Sequence, residues 1–302
     1  MKQIIRYMTM LIVAVAGMTA CHERYVTYDD AEYIMFADTI ATYPVQQDVE
    51  YFNIPVVSTV ARDYDRTIGV EIIDKGNNAI ENVHYRLQSN TVTIKAGELR
   101  ADILVKGIYD NIEASDSLGF QLSLVMDDNL VMPMYGKQTK AVLMKVCPFD
   151  INNFTGYCVF TSMFLYNYSP TGAYQKLVYT EKHPTEENMI ICRNWLNDGY
   201  DVTMTFHPED PMRPLVTLED DEVASDEGSF FGTAHGDDRI LVRSSTLSES
   251  SFYSCGSYLY IWAEFYVENL GETIGTVGHF YNIMEWVSDE EANRLIREGM
   301  PY

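Results

Sequence analysis

The chain has 302 residues, with 44 Asp and Glu against 21 Lys and Arg, for a formal net charge of −23. So acidic a surface repels nucleic-acid phosphates and anionic headgroups, which excludes nucleic acid as a partner; it also keeps an exposed protein soluble. Twenty-two Tyr stand beside 13 Phe and 3 Trp, and tyrosine suits both half-buried sheet faces and surfaces that bind through apolar and polar groups together.

At the start, Lys2 and Arg6 precede an apolar run from Met8 through Leu11, Ile12 and Val13 to Met18, which leads into Thr19, Ala20 and Cys21. A charged beginning, an apolar middle and a small-residue end predict a secretory signal over residues 1–20. The run falls short of the roughly 20 residues that a spanning helix needs. Met18-Thr19-Ala20-Cys21 resembles the lipobox of bacterial lipoproteins. The resemblance implies cleavage before Cys21 and a diacylglycerol on its thiol, with membrane lipid as the partner of the acylated chain. Acyl chains contribute roughly 0.8 kcal/mol per buried methylene, so two or three of them hold a protein on a membrane. Residues 21–31 then form a tether. Glu23 in His22-Glu23-Arg24 partly matches the acidic export signal of Bacteroidota surface lipoproteins, which implies an outer-membrane lipoprotein displayed at the cell surface. Loss of Lys2 and Arg6 with the leader brings the net charge to −25.

Residues 32–147 are a succession of short strand patterns: Tyr33–Phe36, Tyr51–Val56, Gly69–Ile73, Val92–Ile94, Ala101–Val105, Phe120–Leu124 and Ala141–Val146. About seven short strands with turns every ten or so residues predict an antiparallel, immunoglobulin-like β-sandwich. Asn82-Val83-His84-Tyr85, followed by Val92-Thr93-Ile94-Lys95-Ala96-Gly97-Glu98, resembles the Calx-beta-like domains at the N-terminus of many Bacteroidota lipoproteins. Calcium-binding members place acids around the strand ends. Here His84 precedes Tyr85, and Asp127-Asp128 reads as a solvated turn, so no metal or other cofactor is expected.

Cys147-Pro148-Phe149-Asp150 marks a boundary, and residues 148–302 predict a β-meander or open-barrel domain with a short C-terminal helix, making the whole chain mainly β. A strand from Gly156 to Tyr168 turns at Ser169-Pro170-Thr171-Gly172 into Ala173–Tyr179. Met189–Cys192 and Val202–Phe206 flank the turn at Asn197-Asp198-Gly199; Leu215–Leu218, Ile240–Val242 and Tyr258–Val267 follow. Ser288 and Glu291 make a capping box for the helix, which Gly299 and Pro301 close. Beyond Cys21, Cys147, Cys158, Cys192 and Cys255 allow three disulfide pairings and match no zinc spacing. Cys158 and Cys192 sit inside apolar strand patterns, as buried small hydrophobes do.

Side chains alternate across a strand. In Tyr258–Val267, Leu259, Ile261, Ala263, Phe265 and Val267 make a core face, and Tyr258, Tyr260, Trp262, Glu264 and Tyr266 make the other. Such an aromatic row stacks on the apolar faces of sugar rings, while tyrosine hydroxyls and Glu264 take hydrogen bonds. The competing reading is an aromatic ladder covered by the terminal helix or by Trp286. Trp195, beside its turn, is a second ligand-facing candidate. The run Glu219-Asp220-Asp221-Glu222 reads as a solvated acidic loop. His207-Pro208-Glu209-Asp210 and His235-Gly236-Asp237-Asp238 match no catalytic motif, and no catalytic residue is assigned. The expectation is a non-catalytic surface protein with a polysaccharide partner. The alternatives are an adhesin or envelope assembly component with outer-membrane protein partners, and a glycoside-active hydrolase, which needs two carboxylates facing across a cleft. Mass spectrometry of native material is expected to find a chain beginning at an acylated Cys21; an intact leader with an unmodified sulfur overturns the anchor.

Overall fold

The computed structural model describes residues 31–232, 237–269 and 272–302. The signal segment, Cys21 and the tether up to residue 30 lie outside the described residues. Up to Val146 the described strands are β1 (Ile34–Phe36), β2 (Ile40–Gln46), β3 (Phe52–Ser58), β4 (Arg66–Ile73), β5 (Tyr85–Leu87), β6 (Thr91–Ile94), β7 (Arg100–Gly107), β8 (Leu118–Val125) and β9 (Gln138–Val146). One sheet runs β1-β3-β7-β5 and the other β2-β9-β8-β4-β6. Alternation drives their facing: Phe52, Ile54 and Val56 of β3 are buried, as are Phe120, Leu122 and Leu124 of β8. Tyr85 stacks on Phe120 between the sheets, with ring centroids 3.7 Å apart.

The sequence patterns gave no strand at β2 or β5, and β2 carries Pro44. The structure places β2 at a sheet edge, paired only with β9, where a missing N–H is tolerated. That pairing is parallel, with Ile40 opposite Lys140 and Gln46 opposite Val146, so the sandwich is not wholly antiparallel. Asp127 and Asp128 lie exposed at the 3-10 turn Asp128–Leu130.

Beyond Cys147 come β10 (Gly156–Ser162), α1 (Met163–Tyr168), β11 (Gln175–Lys182), β12 (Met189–Arg193), β13 (Val202–His207), β14 (Leu215–Leu218), β15 (Glu222–Ser225), β16 (Ile240–Ser244), β17 (Ser250–Tyr253), β18 (Tyr258–Asn269), β19 (Glu272–Trp286) and α2 (Asp289–Arg297). Antiparallel pairing runs β10-β11-β12-β13-β14-β17-β18-β19. Because β19 also pairs with β10, this meander closes into a barrel. The β15–β16 hairpin extends the wall beside the distal half of β18.

Besides the unanticipated β15, β17 and β19, two further features differ from expectation. The strand from Gly156 ends at Ser162, whose hydroxyl accepts from the amides of Phe164 and Leu165 and caps α1. This turns Phe164 and Leu165 into the core, where Phe164 stacks on Phe265 at 4.5 Å. The other is Trp195, which is fully buried: its ring lies parallel to Phe265 at 5.8 Å and tilted against Phe160 at 4.9 Å. It is a core residue and presents nothing to a ligand.

Glu264 and Tyr266 also serve the fold. Arg243 Nε donates to Glu264 Oε2 at 2.9 Å and Thr276 Oγ1 donates to Oε1 at 2.7 Å, tying β16, β18 and β19 together. The Arg243 guanidinium lies over the Tyr266 ring, 4.5 Å from its centroid, and the Tyr266 hydroxyl donates to Asp221. The hydrogen bond from Arg243 holds the Glu264 carboxyl below the usual carboxylate range. At the helix, Ser288 Oγ accepts from the Glu291 amide at 3.2 Å, but the Glu291 carboxylate turns to Arg294, so half of the expected capping box forms.

A disulfide between Cys147 and Cys255, 108 residues apart, binds the strand leaving the sandwich to the turn before β18. Beside it, Ser254 Oγ donates to Cys147 O and Tyr253 Oη to Ala114 O, at 2.9 and 2.8 Å. Cys158 and Cys192 are free and buried. A crosslink across so long a segment restricts the unfolded chain, so Cys255→Ser is expected to lower stability by about 3 kcal/mol in chemical denaturation. Glu264→Gln is expected to cost about 1–2 kcal/mol at pH 7. Because the folded carboxyl is the stronger acid, this contribution is complete above the unfolded pKa and fades as pH falls through the folded one. The gap between wild type and variant therefore closes below about pH 4, which denaturation across a pH series reads directly.

Candidate ligand-binding face

The inward row of β18, Leu259, Ile261, Ala263 and Phe265, is fully buried in the barrel core. Alternation therefore sends Tyr258, Tyr260 and Trp262 to the outer wall. There β19 sets Glu285 opposite Tyr258, Ile283 opposite Tyr260 and Tyr281 opposite Trp262. The Tyr281 ring lies parallel to Tyr260 at 6.2 Å and tilted against Trp262 at 5.3 Å. On the other side, β17 brings Tyr253 opposite Tyr258. Tyr260 is 37% exposed; Tyr253, Tyr258, Trp262 and Tyr281 are half-buried. From Trp262 to Tyr258 the row spans roughly 13 Å, longer than one sugar ring. The turn beneath it needs glycine, because a Cβ on Gly256 would come within 2.5 Å of the Tyr258 ring.

Neither cover weighed for this face lies on it. Trp286 belongs to the inner row of β19, with its Nε1 donating to Thr180 Oγ1 at 2.9 Å and its ring edge-on to Phe154. The helix α2 packs against β10. The outer row of β18 divides at Trp262: beyond it, Glu264 and Tyr266 are engaged by Arg243 and Asp221 and buried, so they do not belong to the exposed platform.

The charge of Glu285 pushes the Tyr258 hydroxyl pKa up, and burial does the same for Tyr253 and Tyr281. These hydroxyls keep their protons at neutral pH and remain donors. A hollow of about 560 Å³ adjoins Tyr260, walled by Met212, Arg213, Leu215, Glu249 and Tyr253, with Arg213 and Glu249 ion-paired at its rim.

Tyr253 and Tyr281 were missed in the sequence. The signal for Tyr281 is the alternation of Phe280, Asn282, Met284 and Trp286 with Tyr281, Ile283 and Glu285, which Gly275, Gly278 and the buried Asn282 disguise. The acidic run is also more than a solvated loop: Glu222 begins β15 and accepts from the Thr203 amide at 2.6 Å, and burial raises its pKa. His207 Nε2 lies 2.9 Å from Thr217 Oγ1 across the β13–β14 pair. His235 and Gly236 lie outside the described residues.

No curated protein matches the chain. Among solved structures it is similar to an auxiliary nutrient binding protein from Bacteroides thetaiotaomicron, with 16% identity over 82% of this chain and 89% of that one and a TM-score of 0.31. A protein of unknown function from Bacteroides ovatus is similar at 12% identity over 83% and 89%, with a TM-score of 0.33. An apo-form Calx CBD1 domain is similar at 14% identity over 38% of this chain and 98% of that one, with a TM-score of 0.31. The model of the family described as Domain of unknown function (DUF4984) matches residues 134–298, more than half of the sequence, and the chain belongs to that family.

Proposed function

We propose that this chain is a lipid-anchored protein of the outer membrane, displayed at the cell surface, that binds glycans without transforming them. The observation that carries the reading is the solvent-facing run Tyr258, Tyr260 and Trp262, completed by Tyr281 from the neighbouring strand. Sugar rings have apolar faces that stack on aromatic rings and hydroxyl edges that hydrogen-bond, and the platform offers both kinds of contact. The Tyr260 and Tyr281 hydroxyls donate, and the Glu285 carboxylate, which also takes the Tyr258 hydroxyl, accepts. The polysaccharide is held on the outer wall because the barrel interior is filled by Trp195, Phe160, Phe164, Phe206 and Phe265. In this reading the acylated Cys21 fixes the chain to the membrane and the sandwich acts as a spacer.

Affinity electrophoresis and a glycan array test the reading. Trp262→Ala is expected to weaken binding at least about tenfold, the loss typical of a central aromatic anchor. Its unfolding curve should stay near that of wild type, because the side chain is only half-buried. Undiminished glycan binding by Trp262→Ala removes the aromatic face from the function.

A further inference from the structure

A second cavity lies between the sandwich and the barrel. It has a volume of about 240 Å³ and takes Gln46, Gln47 and Asp48 from the end of β2, Lys145 from β9, and Pro208 and Pro211 from the loop after β13. The two cysteines of the disulfide are in its wall. Met212, Pro214, Phe252 and Tyr253 line both this cleft and the hollow beside Tyr260. The two depressions therefore share a wall, and Tyr253 stands where they meet, fixed by its hydrogen bond to Ala114 O in the sandwich.

We infer that platform, hollow and cleft form one groove for a linear, uncharged polysaccharide, whose chain runs from Trp262 and Tyr281 past Tyr260 and Tyr253 to Gln47 and Asp48. The inference rests on the glycan reading and specifies its ligand. Length follows from continuity: the aromatic row alone exceeds one ring, and the cleft prolongs it onto the other module. The second module supplies the polar groups Gln47 and Asp48, both exposed at the mouth of the cleft.

Absence of charge on the ligand follows from electrostatics. Asp48 and Glu285 border the groove on a chain of net charge −23, and Glu249 beside them is neutralised by Arg213. Lys145, its ammonium 4.3 Å from the Tyr109 ring centroid, is the cation left on the cleft wall, and it offsets one of these two carboxylates. A uronate or sulfated chain would meet net repulsion from the surplus of carboxylate charge.

The experiment uses the full mature chain in gels containing xylan, galactomannan or mixed-linkage glucan as neutral probes and polygalacturonate or heparin as anionic ones. At least one neutral polymer is expected to retard the protein, and neither anionic one. With oligosaccharides cut from that neutral polymer, calorimetry is expected to show affinity rising about tenfold from tri- to hexasaccharide. The double variant Gln47→Ala, Asp48→Ala is expected to bind the hexasaccharide no better than the trisaccharide. Stronger retardation by the anionic polymers overturns the inference, as does a length gain that survives in the double variant. If Trp262→Ala still loses binding in that case, the platform stands and the groove alone falls. Retardation by no neutral polymer, or full binding by Trp262→Ala, defeats the glycan reading itself.

Discussion

The double pairing of β19 is the constraint on which the barrel depends. Its residues pair with β18 from Tyr258 to Asn269 and with β10 from Cys158 to Ser162, so one strand closes two edges that would otherwise expose unpaired amides and carbonyls. From Phe280 to Trp286 the side chains alternate, so the register that sends Phe280, Met284 and Trp286 inward also sends Tyr281 and Ile283 outward beside Trp262 and Tyr260. A slip of one residue would bury the tyrosines and expose the core. Core and platform are two faces of a single register.

That coupling also decides which face of the barrel is open. A barrel of this strand number has an interior just wide enough either to be filled by side chains or to hold one small molecule. Here the first outcome holds, because α1 turns Phe164 inward against Phe265 and Trp195 fills the space beside them. Bulky aromatics fill the inside, and the open aromatic surface lies on the outer wall. On that wall Arg243, Glu264 and Asp221 close the distal half of β18, while its proximal half stays open around Tyr260.

The sequence made the mainly β architecture legible wherever alternation was clean, as in β3, β8 and the inner row of β18. It failed where a residue type contradicts the element it occupies. Pro44 disguised β2, whose position at a sheet edge removes the penalty. Gly275, Gly278 and Asn282 disguised β19, although Gly278 lies beneath the Phe280 ring, where a Cβ would come within 2.8 Å of Cζ. Part of the platform could be read from β18 because its two faces differ in composition. Its boundary could not, since Glu264 and Tyr266 are taken out of the exposed row by Arg243, Thr276 and Asp221, partners that lie on other strands or loops. Trp195 next to a glycine turn gave no local sign that its ring would enter the barrel.

The disulfide gives the two modules a common geometry, and this bears on recognition. Surfaces on separate modules usually lose affinity to the ordering of one relative to the other. Here Cys147–Cys255, the Ser254 bond to Cys147 O and the Tyr253 bond to Ala114 O fix that relation before any ligand arrives. Tyr253 is held by the sandwich, pairs across β17 with Tyr258, and forms part of both depressions. In the proposed groove a chain lying across it would gain contacts from both modules without having to order either, so the advantage of a longer ligand over a shorter one should depend on that crosslink as well as on the aromatic rings.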